Sequence, residues 1–182
     1  GRSANIELVV KRVKAGGNGP LMAGAMAALG APVTYIGSIG SQNGAPHPVF
    51  EEFVSRCAEV RCLGAPGFTD ALEFDDGKLM LGKLDALTGV TWDAVVHASG
   101  GLGGLRAMAA RSRVIATCNW TMLHEMPAIW DGLSHNVLNH LPESAQPPTV
   151  FVDLADPAKR SDEDVRAAIE QLQRMNALAP VT

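Results

Sequence analysis

Apolar residues along the chain fall into short runs that glycine, proline or charged residues interrupt. Residues 6–10 (IELVV) are rich in β-branched side chains and partly alternate, which predicts a strand. Residues 32–37 (PVTYIG) are apolar on both faces, as in a buried parallel strand. A helical pattern separates the two runs, so the order strand, helix, strand predicts one βαβ unit.

The helix between these strands is predicted from spacing and from its two ends. Leu21, Ala25 and Leu29 recur every four residues and form one apolar stripe. Pro20 fits the first helical turn, and Gly30 is a typical residue just after a helix. The remaining positions are mostly Ala and Gly, which indicates close packing on this helix.

Four more strands are expected further along. Residues 69–74 and 78–81 flank Asp75-Asp76-Gly77, where the Asp-Gly pair favours a hairpin turn with positive φ. Residues 113–119 (RVIATCN) and 149–153 (TVFVD) are compact apolar strands that precede helical segments. The last four residues, APVT, resemble the start of another strand.

The helix after residue 153 carries the strongest terminal signal. Ser161 is a helix-capping residue, and three acidic residues follow it in the first turn. Val165, Ile169 and Leu172 form its apolar stripe. Strands that alternate with helices predict an α/β fold with a mostly parallel sheet.

Composition and charge exclude several classes of protein. The 182 residues are 47% hydrophobic and 19% charged, which is typical of a globular chain. The net charge is −4 and no basic block is present, so we expect neither a nucleic-acid partner nor a membrane partner. Without a signal-peptide pattern, a cytoplasmic location is expected. Cys57, Cys62 and Cys118 are expected to be reduced and partly buried.

Two glycine clusters are candidate ligand loops. Gly16 and Gly17 lie between a predicted strand and a predicted helix, where backbone N–H groups suit an anion or a hydroxyl-rich ligand, or form a plain turn. Neither the P-loop pattern nor GxGxxG fits this loop. The second cluster, residues 99–104, follows WDAVVHA; if that run is a strand, the cluster is a Rossmann-type nucleotide loop, and otherwise it is a surface turn.

Polar residues at strand ends are the other candidates. Asn119 and Asp153 each end a predicted buried strand, and ligands of open α/β sheets bind outside the carboxyl ends of the strands. Both side chains equally suit a cap or a turn. Arg160 is suitable for a phosphate contact or for a solvated surface position. His135 and His140 are five residues apart with no completing carboxylate, so no metal site is predicted.

One resemblance extends these observations. The stretch GGNGPLMAGAMAALGAPVTYIGSIG resembles the first signature of the ribokinase-like, or PfkB, carbohydrate kinases. TDALEFDDGKLML is similar to the hairpin region of that family, and TVFVDLADPAKR to its strand that ends in an Asp-containing loop. The resemblance implies a ribokinase-like α/β domain, with helices on both faces of a mostly parallel sheet and a hairpin lid at about residues 69–82.

The resemblance also implies an activity and a set of contacts. The family transfers the γ-phosphoryl group of ATP, with magnesium, to a sugar or related hydroxyl. Gly16, Gly17 and Asn18 would then contact the sugar, together with Asn119 and Asp153, and Arg160 would contact phosphate. Two copies could pair through the hairpin lid.

The family motifs that supply the catalytic base, the anion hole and magnesium positioning do not occur in the sequence. We therefore expect residues 1–182 to be the N-terminal, acceptor-side part of one such domain, inactive alone and a weak binder of ATP or magnesium. Two alternatives remain open at this point: a non-catalytic sugar-binding module, and a Rossmann-type oxidoreductase that uses the second glycine cluster.

Overall fold

The computed structural model describes residue 5 and residues 7–40, 45–142 and 146–182. Its regular elements alternate between helices and strands, as the sequence predicts. In chain order they are α1 (Asn18–Ala28), β1 (Thr34–Gly37), α2 (Glu51–Arg56), β2 (Glu59–Cys62), β3 (Phe68–Phe74), β4 (Gly77–Lys83), α3 (Trp92–Ala98), α4 (Gly101–Arg111), β5 (Val114–Cys118), α5 (Met126–Asn136), β6 (Thr149–Asp153) and α6 (Asp162–Asn176). The fold is mixed α/β.

The strands form three two-stranded sheets within the described residues. β1 pairs with β2 in parallel, and β5 pairs with β6 in parallel. The third sheet is the antiparallel hairpin of β3 and β4. A single mostly parallel sheet was expected, and that expectation is wrong for this part of the chain, because a cleft separates β1 from β5 and no described strand bridges it.

The hairpin is confirmed, but its predicted turn geometry is wrong. Phe74 pairs with Gly77, so Asp75 and Asp76 are the two loop residues. None of Asp75, Asp76 and Gly77 has a positive φ. The glycine of the Asp-Gly pair lies in the first ladder position of β4 and not at the turn, so the left-handed conformation is not required there.

The strand predicted at residues 6–10 is not observed. Ile6 lies outside the described residues, and residues 7–17 form no regular element and are mostly exposed. Strand propensity is realised only through pairing, and no described strand pairs with this segment. The predicted βαβ unit therefore consists here only of its helix and its second strand, β1.

The stripe predicted on α1 faces away from the protein. Leu21 and Leu29 are exposed, Leu29 to 84%, whereas Ala23 is buried. Gly24 lies on the packed side, where an added Cβ would be 3.5 Å from the Phe53 ring. The small residues of α1 make its contacts, as their abundance predicted, and the large apolar residues do not.

Two cores of unequal size hold the chain together. The larger core joins α3–α6 with β5 and β6, and Trp120 and Trp130 lie fully buried within it. The smaller core contains four buried residues, Ala23, Ile39, Phe50 and Phe53. Residues 180–182 continue the β5–β6 sheet, since Val181 forms a parallel bridge with Val150, as the strand-like end of the chain predicted.

Candidate functional site

A cleft of about 2410 Å³ lies between the two parallel sheets. Its walls are mainly apolar and include the strands β1 and β5. Among the described residues, β1 pairs only with β2 and β5 only with β6, so each strand leaves one edge free. Polar groups reach the cleft from the start of α1 and from the end of β5. These two places contain the predicted site residues Gly16, Gly17, Asn18 and Asn119, all of which line the cleft.

The Gly16-Gly17 loop is open on the ligand side. A Cβ added to Gly16 would have no atom within 4 Å, so a bound molecule could approach this backbone closely. Gly17 has a φ of +91°, which strongly favours glycine, and it precedes the first residue of α1. The helix begins at Asn18, so Pro20 lies in its first turn, as the sequence predicts.

Asn18 and Asp153 meet although 135 residues separate them in sequence. Asn18 Nδ2 donates a hydrogen bond of 2.7 Å to Asp153 Oδ2. The Asp153 Oδ1 atom accepts a second hydrogen bond of 2.8 Å from the backbone N–H of Ala155. Asn18 lines the cleft and Asp153 does not, so the Asp153 carboxylate binds the Asn18 amide from a position outside the cleft.

Asn119 occupies a strained turn directly after β5. Its φ is +69°, and its Oδ1 atom accepts a hydrogen bond of 3.3 Å from the backbone N–H of Met122. The side chain thus stabilises the turn, as one of the two interpretations of the sequence proposed. Its Nδ2 group carries two further donors, and the residue lines the cleft. The turn and a ligand contact are compatible.

Sequence reasoning missed Tyr35, which packs behind the start of α1. A Cβ added to Gly19 would be 3.6 Å from the Tyr35 hydroxyl and 3.8 Å from Cys118 Cβ. At Gly37 an added Cβ would be only 2.5 Å from that hydroxyl. A lone tyrosine in a strand that ends in glycine was the available signal, because bulky rings commonly occupy space that a glycine leaves free.

Burial favours the neutral forms of Tyr35 and Cys118. Burial, together with the nearby thiols, raises the pKa of Tyr35 well above its usual value. Burial, followed by the charge of Asp153, raises the pKa of Cys118 to about 11. Cys57, Cys62 and Cys118 are all free and partly buried, as the sequence predicted. The Tyr35 phenol and the Cys118 thiol are therefore uncharged near neutral pH.

Arg160 lies against the loop that follows β5. Its Nη2 atom donates hydrogen bonds to the carbonyl oxygens of Trp120 at 2.9 Å and Leu123 at 3.4 Å. Its guanidinium carbon lies 4.7 Å from the centroid of the Trp120 ring, and Nη1 lies 3.1 Å from His124 Nδ1. The structure thus gives Arg160 an anchoring role, and its predicted phosphate contact stays a prediction.

The second glycine cluster does not form a Rossmann loop. WDAVVHA is helix α3 and not a strand, because Thr91 Oγ1 caps it by accepting a hydrogen bond from the Ala94 N–H. The cluster is a turn between two helices, in which Gly100 and Gly101 have positive φ. An added Cβ at Gly104 would overlap the Ser99 carbonyl oxygen, so this glycine serves helix packing. The oxidoreductase alternative loses its structural basis.

The fold and the cleft together define an α/β chain with polar groups gathered near strand ends. The family model described as prokaryotic ketohexokinase matches residues 2–182. Since this match spans nearly every residue, the chain belongs to the prokaryotic ketohexokinase family. It is 31% identical over 176 residues to a ketohexokinase of Haloferax volcanii.

That alignment covers 96% of this chain and 44% of the relative. The chain therefore spans less than half the length of the curated relative that it matches. No solved structure matches the chain significantly. Among the helices of the described residues, none has the length and apolarity that a membrane span requires.

Proposed function

We propose that the chain forms the acceptor side of an ATP-dependent sugar kinase of ribokinase-like (PfkB) type, with a ketohexose as the sugar. In this proposal residues 1–182 are the N-terminal part of one ribokinase-like domain, and the β3–β4 hairpin is its lid. The supporting observation is that the Gly16–Asn18 loop and Asn119 line one face of the same cleft. Family membership and the printed name of the Haloferax volcanii relative support the choice of reaction and sugar.

The proposed contacts suit a polyol. The open backbone at Gly16, where an added Cβ would meet no atom within 4 Å, allows the main chain to approach sugar hydroxyls closely. The amides of Asn18 and Asn119 both donate and accept hydrogen bonds, which matches the dual character of a hydroxyl group.

The proposed chemistry depends on placement of the sugar. A sugar hydroxyl oxygen forms a bond to the γ-phosphorus of ATP and gives up its proton, and the bond from that phosphorus to the ADP oxygen breaks, so that its electron pair leaves with ADP. Such transfers are accelerated mostly by positioning and by charge stabilisation. The contribution of this chain is to hold the acceptor hydroxyl, and we assign no catalytic residue to it.

Magnesium, when bound together with ATP, would supply neutralisation of the charge that develops on the phosphate groups. Within the described ranges, no three His, Cys, Asp or Glu side chains come together as a metal site. We therefore place neither a magnesium ligand nor the phosphate groups on these residues, apart from the predicted contact at Arg160.

The exposed hairpin supports pairing of two copies through the lid. Phe68, Phe74, Leu79, Met80 and Leu81 are all exposed on it. Light scattering on the gene product should show a dimer that Leu79→Glu weakens, because a carboxylate on an apolar contact surface must be desolvated. A monomer at all concentrations would contradict this part of the proposal.

A pair of glycine substitutions tests the sugar contact. Gly16→Ala adds a methyl group to open space on the cleft, so the fold tolerates it while the close approach of a sugar is blocked. Gly89→Ala is the matched control, since its added Cβ also meets no atom within 4 Å and Gly89 does not line the cleft. The readout is ATP-dependent phosphorylation by the gene product that carries this chain, with fructose as the ketohexose.

We expect Gly16→Ala to raise the KM for fructose about tenfold or more, which corresponds to about 1.4 kcal/mol of lost binding. The melting temperature and the KM for ATP should not change. Gly89→Ala should leave all three quantities unchanged. An unmodified gene product that phosphorylates neither fructose nor other sugars would contradict the proposed function.

A further inference from the structure

The carboxylate of Asp153 is fixed by the backbone around it. The carbonyl oxygen of Asp153 accepts hydrogen bonds from the N–H groups of Asn119 at 3.0 Å and Trp120 at 3.1 Å. Ala155, with a φ of +61°, turns the chain back so that its N–H reaches Asp153 Oδ1. The end of β6 is thereby tied to the end of β5, and the free carboxylate oxygen, Oδ2, points at Asn18.

This contact determines the orientation of the Asn18 amide. An ionised carboxylate only accepts hydrogen bonds, so the amide must direct its NH₂ group toward Asp153 Oδ2. The amide oxygen then lies on the other side of the Asn18 side chain. Without the carboxylate the two amide orientations would differ little in energy, because Asn18 is exposed.

The two residues differ in their relation to the cleft. Asn18 lines it and Asp153 does not. A ligand in the cleft would therefore meet Asn18, in an orientation that Asp153 imposes. Asp153 is the last residue of strand β6, which holds it in place. Asn18 follows the glycine loop and is the first residue of α1.

We propose that Asp153 is a positioning residue: it holds the Asn18 amide with its acceptor oxygen toward the bound sugar, and so selects for a hydroxyl that donates at that point. This inference rests on the proposed function. It replaces a direct sugar contact by Asp153 with an action through Asn18.

A reciprocal exchange tests the pair. Asn18→Asp places two carboxylates in contact, which repel each other. In Asp153→Asn the new amide oxygen accepts from the Ala155 N–H, so the new NH₂ group faces Asn18, whose amide must turn its oxygen toward residue 153 and its NH₂ group toward the cleft. The double variant Asn18→Asp/Asp153→Asn restores both hydrogen bonds, because Asn at 153 accepts from Ala155 and donates to Asp at 18. An acceptor oxygen again faces the cleft.

We expect each single substitution to raise the KM for fructose about tenfold or more, as for a lost hydrogen bond to a charged group. The KM for ATP should remain unchanged. The double variant should recover to within about threefold of the unmodified KM, and its unfolding midpoint without sugar should exceed that of Asn18→Asp. Asp156→Asn is the control: this exposed carboxylate in the same loop pairs with Lys159 and should show no effect on either KM.

The inference is overturned if the double variant is no better than Asn18→Asp in both KM and unfolding midpoint. It is also overturned if Asp153→Asn leaves the KM for fructose unchanged. An unmodified protein without sugar kinase activity is a different result, because it contradicts the proposed function. In that case the unfolding midpoints still decide whether the Asn18–Asp153 pair forms.

Discussion

Two regions of the molecule contain similar apolar sequence but bury it very differently. Residues 90–182, called here the C-terminal unit, hold the larger core, with the ring of Trp130 at 0% exposure. The β3–β4 hairpin has seven residues in each strand and no buried residue among them, and its Phe74 is 62% exposed. In the C-terminal unit the apolar side chains stabilise the fold, whereas in the hairpin they are exposed at the surface.

The difference shows what decides burial. The strands of the C-terminal unit have four helices to pack against them, so apolar side chains from strands and helices join one core. The hairpin is held mainly by its own ladder, which is the strongest contact between any two elements in the described part of the chain. Local pairing satisfies its backbone without a core behind it. Such a hairpin suits a lid, whose function requires exposure on one face.

The largest predicted effect is at Trp130. Its indole Nε1 donates a hydrogen bond of 3.0 Å to Thr117 Oγ1, a buried acceptor on β5. Trp130→Ala should lower the free energy of unfolding by about 3–5 kcal/mol, since it leaves a cavity and removes the buried hydrogen bond to Thr117. Phe74→Ala, the matched control in the hairpin, should change it by less than about 0.5 kcal/mol. Urea denaturation measures both, and equal effects would remove the contrast between the two regions.

A second prediction concerns Cys118, which lies in the C-terminal unit but faces the cleft. Burial and the charge of Asp153 raise the pKa of its thiol from 9.0 to about 11, so little thiolate is present at pH 8. Alkylation by iodoacetamide at pH 8, followed by mass spectrometry of the Cys118 peptide, should be roughly tenfold or more slower in the native protein than in urea. Equal rates would mean that this end of β5 is open to solvent.

The same shift gives a pH dependence of known sign. The unfolded chain loses the Cys118 proton at a lower pH than the folded chain, so the unfolded state binds fewer protons between pH 9 and pH 11. The stabilisation is complete below pH 9 and is lost as the pH rises toward 11. Cys118→Ser should reduce this decline, measured as melting temperature against pH. A steeper decline in the variant would contradict the assignment.

The sequence predicted the type of most elements, because type depends on local signals. The bounds of β6 were predicted to the residue, and the cap at Ser161 is confirmed as a capping box with Asp164. Burial could not be predicted in this way. Ile169, expected in the buried stripe of α6, is exposed, and Ala168 replaces it. Which side of a helix meets the core depends on the neighbouring elements and not on the helix alone.

The candidate site was predictable only in part for the same reason. Asn18 and Asp153 could be chosen from a glycine loop and a strand end, but their contact depends on the fold that joins them. WDAVVHA was ambiguous, since a short apolar run suits a strand or a helix, and Thr91 decided the outcome as a cap. Tyr35 carried no motif and was missed.

The fourth prediction tests a local signal within the stable region. The Ser161 hydroxyl accepts a hydrogen bond of 3.1 Å from the Asp164 N–H and begins α6. Ser161→Ala should lower the free energy of unfolding by about 1 kcal/mol, whereas Ser161→Thr keeps the hydroxyl and should cost less. Urea denaturation of both variants provides the comparison. If Ser161→Ala has no effect, α6 is held by Ala168 and Met175 in the core and not by its cap.

The smallest predicted effect lies in the hairpin. Lys83 Nζ and Asp70 Oδ2 are 2.6 Å apart across the two strands, but both side chains are exposed to solvent. An ion pair in such a position contributes little, because water and salt screen it. Lys83→Met should therefore change the free energy of unfolding by less than about 0.5 kcal/mol, and 1 M NaCl should abolish the difference. A larger, salt-resistant loss would mean that this end of the hairpin packs against the rest of the protein, and the contrast with the C-terminal unit would then be one of degree.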